Sequence, residues 1–186
     1  MFLDPTKFSF VAELESQWET ICKEFQALSS TLFDPWVQQN MHDEGWSVYG
    51  LYALGKRIDG ACDRCPQTAK FIENISGVSL AGFSMLAPHT HIKPHVGWAK
   101  SVYRLHLGLV VPPSCRLRVD NDTRNWKEGK CLIFDDTVEH EAWNESDEYR
   151  GTLMLDFLRP GITSFEEDLI PEEVKQYAEG LANKPR

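Results

Sequence analysis

The chain has 186 residues, 42% of them apolar and 11% aromatic, with a formal net charge of −9. That suffices for one well-packed core and is too short for two domains of ordinary size, so a single domain over 1–186 is expected. The acidic balance offers no basic face for nucleic acid, no apolar run is long enough to cross a bilayer, and Met1-Phe2-Leu3-Asp4-Pro5 lacks the basic start and apolar middle of an export signal; a cytoplasmic protein with neither a nucleic-acid nor a membrane partner is expected.

Val11, Leu14, Trp18, Ile21, Phe25 and Leu28 recur at steps of three and four, which predicts an amphipathic helix from about Ser9 inside an N-terminal helical segment over 5–45. Residues 46–54 are β-branched and aromatic and read as a strand. Cys62-Asp63-Arg64-Cys65 has no second ligand pair at zinc spacing and, among five cysteines without an export signal, reads as two reduced thiols in a loop. Pro66 suits the first turn of a short helix, which Gly77 would close.

From about Ser79 the period changes to two. Strands are predicted over 80–86, 102–111, 115–119, 130–134, 138–143 and 149–157, separated by turn signals at Pro112-Pro113, Asn121-Asp122, Glu128-Gly129 and Glu145-Ser146-Asp147. Consecutive antiparallel pairing over a core at 46–160 suggests a sandwich or jelly-roll barrel. Ser164-Phe165-Glu166-Glu167 has the pattern of a capping box, and Pro171 opens a second helical stretch carrying Val174, Tyr177 and Leu181, so 161–186 is read as helical.

Strand alternation carries the first chemical information. Arg104, His106 and Gly108 share one face of their strand, with Tyr103, Leu105, Leu107 and Leu109 on the other. A guanidinium on a covered face must meet an anion, either a protein carboxylate or a ligand. Arg150 obeys the same logic: Arg150, Thr152, Met154 and Asp156 alternate against Gly151, Leu153, Leu155 and Phe157. Two arginines entering one barrel from separate strands suit a small diacid, since each planar fork can grip a carboxylate in bidentate fashion, and Ser84 would add a hydroxyl.

The histidines supply the second. His89, His91 and His95 fall in a loop-like stretch before the Arg104 strand, and His140 lies in the aromatic, acid-rich run Asp135-Asp136-Thr137-Val138-Glu139-His140-Glu141-Ala142-Trp143. Non-haem iron sites use two histidines and an acid two residues after the first; after His95 that place is Gly97. His95, His106 and His140 also offer a three-histidine cupin site, and spacing alone does not choose.

The run from Ser84 to Pro160 resembles the aspartyl/asparaginyl β-hydroxylases. The resemblance rests on Ser84-Met85, Pro88-His89-Thr90-His91, Pro94-His95-Val96-Gly97, Arg104-Leu105-His106-Leu107-Gly108-Leu109, Trp126-Lys127-Glu128-Gly129-Lys130, Phe134-Asp135-Asp136-Thr137, His140-Glu141-Ala142-Trp143 and Arg150, in order and nearly without gaps, with a weaker match at Cys65-Pro66-Gln67-Thr68. It implies a mainly β fold with flanking helices, a distorted double-stranded β-helix of cupin-like, jelly-roll form. It also implies an Fe(II) oxygenase that uses 2-oxoglutarate and O2 and releases succinate and CO2.

Carried over to this sequence, the resemblance makes His95 and His140 the iron ligands and Gly97 the substitute for the missing acid. Ser84 and Arg150 would hold the distal carboxylate of 2-oxoglutarate, with Arg104 and His106 near its chelating end. Asp136 would hydrogen-bond a water at the metal, partly replacing the absent ligand, or else simply cap the turn before Val138. The implied substrate is an aspartyl or asparaginyl residue or a related small acid. Acylated lipids, also substrates in the family, fit less well for want of an apolar anchor, and Val102 stands where a second basic residue would be expected in peptide-acting members. Two other readings are a non-catalytic acid-binding module and the three-histidine dioxygenase.

Overall fold

The structure, a computed structural model, describes residues 1–166 and 169–182. Among them twelve strands form two facing antiparallel sheets: β1 (Phe2–Leu3), β2 (Asp34–Pro35), β3 (Trp46–Ala53), β4 (Lys56–Arg57), β5 (Val78–Leu86), β6 (Thr90–His95), β7 (Val102–Val110), β8 (Cys115–Val119), β9 (Asp122–Asn125), β10 (Cys131–Phe134), β11 (His140–Asn144) and β12 (Arg150–Leu158). The major sheet runs β1-β10-β7-β12-β5-β3-β2 with β4 beside β3; the minor sheet runs β6-β11-β8-β9. From β5 onward the chain crosses repeatedly between the sheets, only the β8–β9 hairpin staying in one. This is the jelly-roll order of a distorted double-stranded β-helix.

Strand alternation then sorts the core into two layers. Leu105, Leu107, Leu109, Leu153, Leu155 and Phe83 point out of the barrel and pack on α1 (Val11–Ser16), α2 (Trp18–Ala27), α3 (Asp59–Arg64) and α4 (Pro66–Glu73) through Leu14, Ile21, Phe25, Cys62 and Ile72. Each such side chain contributes ~1.5–3 kcal/mol on burial, so this layer carries much of the stability. Between the sheets lie Trp46, Leu86, Leu117, Val119, Trp126 and Phe134. The major sheet is wider than the minor one, and α5 (Glu172–Ala182) covers the surplus, seating Val174 and Tyr177 against Trp36 and Val48.

Several expectations are corrected. The single first helix is two, broken at Gln17, where a non-helical ψ of 7° shifts the axis while Val11, Leu14, Ile21 and Phe25 stay buried. The short helix from Pro66 ends at Glu73, and Gly77, at φ +72°, makes the later turn into β5. Cys62 lies in a helix, not a loop, and all five cysteines are buried and unpaired. Residues 90–95 form strand β6 despite Pro94, which is tolerated because β6 is the minor sheet's edge. The turn expected at Asn121-Asp122 is taken by Asp120 at φ +55°. Residues 162–166 are not helical, Glu167 of the expected capping box lies outside the described residues, and the helix expected after Pro171 is α5. Among the described residues no helix is long and apolar enough to cross a membrane.

Candidate active site

The minor sheet carries a pair of histidines on neighbouring strands. In the β6–β11 register His95 lies opposite His140, and their ring centroids are 4.1 Å apart. His95 Nδ1 is 2.7 Å from Lys93 O and His140 Nδ1 is 2.9 Å from Val138 O. A carbonyl oxygen can only accept, so both Nδ1 atoms carry the proton and both Nε2 atoms keep a lone pair. Burial lowers the pKa of His95, and burial with His95 alongside pushes His140 down to about 3. Neutral imidazoles whose second nitrogen is locked by a backbone carbonyl are the form in which histidine binds a metal.

Beside them stands a carboxylate. The Gly97 N–H donates to Asp136 O at 2.7 Å, and a Cβ on Gly97 would lie 1.5 Å from Asp136 Oδ2. The side chain two residues after His95 is therefore missing where Asp136 brings its own. Asp136 Oδ1 is 3.3 Å from His140 Nε2 and 2.6 Å from Arg104 Nη1, yet no donor is aligned with it as a hydrogen bond, so it remains a buried acceptor. Arg104 in turn grips Asp156 with Nε and Nη2, both at 2.8 Å. Burial pushes the Asp156 carboxyl up and Arg104 pulls it back.

Arg150 is in the opposite position. It is 1% exposed and has no carboxylate partner among the described residues. Its Nη1 donates to Thr152 Oγ1 at 2.7 Å and lies 3.4 Å from Ser84 Oγ, its Nε has no partner, and its guanidinium sits 4.8 Å over the Trp126 ring. Burial lowers its pKa to about 10. The β12–β5 register that sets Thr152 opposite Ser84 brings these hydroxyls together. Trp46 Nε1 donates to Ser84 Oγ at 3.1 Å.

His106 is fixed by Trp126, whose indole N–H donates to His106 Nδ1 at 3.3 Å. An indole nitrogen only donates, so the His106 proton is on Nε2, which is buried without a partner. Burial and the two arginines hold its pKa well below the ordinary value, in keeping with a neutral ring.

Ser84, His95, Arg104, His106, His140 and Arg150 line one cavity of about 350 Å³, open at its mouth, with Asp136 against its wall. All the residues singled out in the sequence are thus brought together, but not in all the expected relations. Among the described residues no three His, Cys, Asp or Glu side chains converge as a metal cluster, and the His106 ring is turned to Trp126. Arg104, expected near the chelating end of the co-substrate, lines the cavity with His106 while its fork engages Asp156 and Asp136. Sequence reasoning missed Trp46 and Trp126 as site residues and left Asp156 without a role. Only the alternation that sets Asp156 on the same face as Arg150 signals it.

The residues present fit a metal. Two proton-free Nε2 atoms line the cavity, with Asp136 Oδ1 3.3 Å from one of them, and so does Arg150, a buried cation beside two hydroxyls and without a carboxylate partner among the described residues.

The sequence profile of the family described as aspartyl/asparaginyl beta-hydroxylase matches residues 15–160. The ornithine lipid ester-linked acyl 2-hydroxylase of Rhizobium tropici is 36% identical over 173 residues, covering 84% of this chain and 60% of that protein. The human aspartyl/asparaginyl beta-hydroxylase is 34% identical over 171 residues, covering 87% of this chain and 22% of that protein. The chain therefore spans about 60% of the length of the first and under a quarter of the second. Among solved structures, a Pseudomonas putida prolyl-4-hydroxylase superposes with a TM-score of 0.49 at 17% identity, over 80% of this chain and 87% of that one. With the matched stretch taking in every residue of the cavity, this chain belongs to the aspartyl/asparaginyl β-hydroxylase family.

Proposed function

We propose that this chain is an iron(II)- and 2-oxoglutarate-dependent hydroxylase. The observation that carries the reading is Arg150, a fully buried cation with no acid to pair with among the described residues, in one cavity with two neutral histidines. A buried, unpaired charge costs several kcal/mol, and the distal carboxylate of 2-oxoglutarate would offset that cost through the fork of Arg150, Ser84 and Thr152.

His95 and His140 would hold iron(II) through Nε2, and Asp136 Oδ1 would accept from a water beside the metal. The metal and 2-oxoglutarate together supply O2 activation coupled to decarboxylation, yielding succinate, CO2 and a hydroxylated carbon. The chain's own residues do the positioning. His106 Nε2, aimed by Trp126 and without a partner of its own, would donate a hydrogen bond to the keto-acid end. Arg104, held by Asp156, keeps Asp136 beside His140. Leu117, Phe134 and Ile92 exclude bulk water, which strengthens each of these interactions.

The relatives' names offer two substrate classes, an aspartyl or asparaginyl residue and the acyl chain of a lipid. An acidic substrate would need a cation of its own. Of the two arginines lining the cavity, Arg104 is paired with Asp156 and Asp136, and Arg150 would be taken by the co-substrate.

The test is oxygen-dependent succinate formation by protein loaded anaerobically with iron(II), with and without 2-oxoglutarate. Succinate should form only with 2-oxoglutarate and be lost in His95→Ala and Arg150→Ala. Oxygen consumption that ignores 2-oxoglutarate, or full turnover in His95→Ala, would overturn the reading.

A further inference from the structure

We propose that Asp135 and Arg159, neither of which lines the cavity, are the positioning pair for its histidine end: their salt bridge fixes the turn that presents Asp136 and His140. The effect on a metal rests on the hydroxylase reading, whereas the effect on the turn belongs to the metal-free protein.

Residues 135–139 link β10 to β11 and orient both candidate ligands through backbone carbonyls. Asp136 O accepts from the Gly97 N–H at 2.7 Å, two residues past His95, and Val138 O accepts from His140 Nδ1 at 2.9 Å. A shift of this turn therefore moves the backbone beside His95, the ring of His140 and the Asp136 carboxylate together. The turn closes on Asp135, whose Oδ1 accepts from Thr137 N at 3.1 Å and Thr137 Oγ1 at 2.7 Å while its carbonyl accepts from Val138 N at 3.1 Å. Such an Asx turn fixes local shape, but not its placement in the barrel.

Arg159 supplies the placement. Its Nη1 and Nη2 donate to the two Asp135 oxygens at 3.0 and 2.6 Å, a bidentate grip that sets orientation as well as distance. The rest of its side chain is fixed at the start of β7, where Nε donates to Val102 O at 3.0 Å and the guanidinium lies 4.5 Å over the Tyr103 ring. Its backbone N–H donates to Ser101 O at 2.9 Å. Strands β7 and β12 also carry Arg104 and Asp156, and Arg104 meets the Asp136 carboxylate. Two consecutive aspartates thus meet two arginines borne by one strand pair. Arg104 holds the Asp136 carboxylate, and Arg159 holds the backbone that carries it and His140. The Asp135 and Arg159 side chains are 20% and 22% exposed, and an ion pair still in reach of water adds only modestly to global stability. Its loss should loosen the turn without unfolding the barrel.

Two substitutions separate the clamp from the turn. Asp135→Asn keeps an oxygen for Thr137 but makes the other acceptor a donor, and Arg159→Lys keeps the charge but loses the fork and the bond to Val102 O. In metal-free protein, amide hydrogen exchange at Gly97, whose N–H reports the Asp136 carbonyl, should accelerate roughly tenfold in both variants, while Leu105 and Leu155 in the β7–β12 ladder keep wild-type rates. Cobalt(II), added as the metal alone, should bind roughly tenfold more weakly to each variant, with an altered d–d absorption spectrum. The double variant should be no worse than either single one, and all should melt within about 4 °C of wild type.

Gly97 exchange or cobalt affinity at the wild-type level in both variants would overturn the proposal. So would acceleration that extends equally to Leu105 and Leu155, which would make the pair a brace for the whole barrel, or losses that add in the double variant. If Gly97 exchange rises as expected but the wild-type protein binds no cobalt, the hydroxylase reading fails and the positioning of the turn stands.

Discussion

The place of a Gly97 side chain is taken by Asp136: a Cβ there would lie 1.5 Å from Asp136 Oδ2. The two positions compete for one volume, so even Gly97→Ala must displace the carboxylate from beside His140. We predict a loss of ~10–100-fold in turnover or iron affinity for Gly97→Ala, the scale usual for groups that support a metal's ligands. Asp136→Ala should lose a similar amount. The double variant should be no worse than either alone, because the second change removes what the first displaces; additive losses in iron titrations would contradict the competition.

Among the described residues Arg150 stands buried without an acid, so function and stability should separate there. Arg150→Met keeps the bulk and removes the uncompensated charge. The metal-free variant should melt ~2–4 °C higher, the equivalent of about 1 kcal/mol at this size, while the 2-oxoglutarate needed for half-maximal succinate formation rises more than tenfold. Calorimetry and a co-substrate titration on one preparation decide it. A lowered melting temperature would mean that the Thr152 and Ser84 hydroxyls satisfy the cation unaided.

Much of this site is legible in the chain because strand period two is a local property. Arg104 and His106 against Leu105 and Leu107, and Arg150 against Leu153 and Leu155, mark the polar face by residue order alone. What is not legible depends on register between distant strands. That Arg104 meets Asp156, 52 positions away, follows only from β7 lying beside β12, and His95 meets His140 only through the β6–β11 pairing. Strand β6 itself reads as a loop because Pro94, Lys93 and two histidines dilute its pattern, which an edge strand tolerates. The Gly50–Gly82 pairing is equally invisible, since either glycine alone reads as an ordinary weak point in a strand.

Acid should destabilise the metal-free protein through its buried histidines. Burial lowers the pKa of His95, His106 and His140 in the folded chain, so the unfolded chain takes up protons first as pH falls. Their contribution is fully present above about pH 6.5 and is lost as pH falls from there toward the folded value of about 3 for His140. Urea titrations at pH 7.5, 6 and 5 should show stability falling, with each histidine contributing up to ~1.4 kcal/mol per pH unit inside that window. His106→Gln should flatten the slope by one such step. A profile flat between pH 7 and 5 would mean that these rings charge freely in the folded state.

Trp126 does two separable things, and one substitution divides them. Its ring lies under the Arg150 guanidinium, while its N–H, 3.3 Å from His106 Nδ1, fixes the His106 proton on Nε2. Trp126→Phe keeps an aromatic face but frees the tautomer, so that Nε2 can present a lone pair to an anionic co-substrate instead of a proton. The lost orientation is equivalent to a hydrogen bond to a charged group, ~1.5–3 kcal/mol, or roughly 10–150-fold in 2-oxoglutarate affinity. Iron affinity should stay within about twofold, since neither Trp126 nor His106 touches His95. Nitrogen-15 shifts of His106 would report the tautomer directly: a wild-type ring protonated on Nδ1 would remove the basis for this role, whatever the variant's activity.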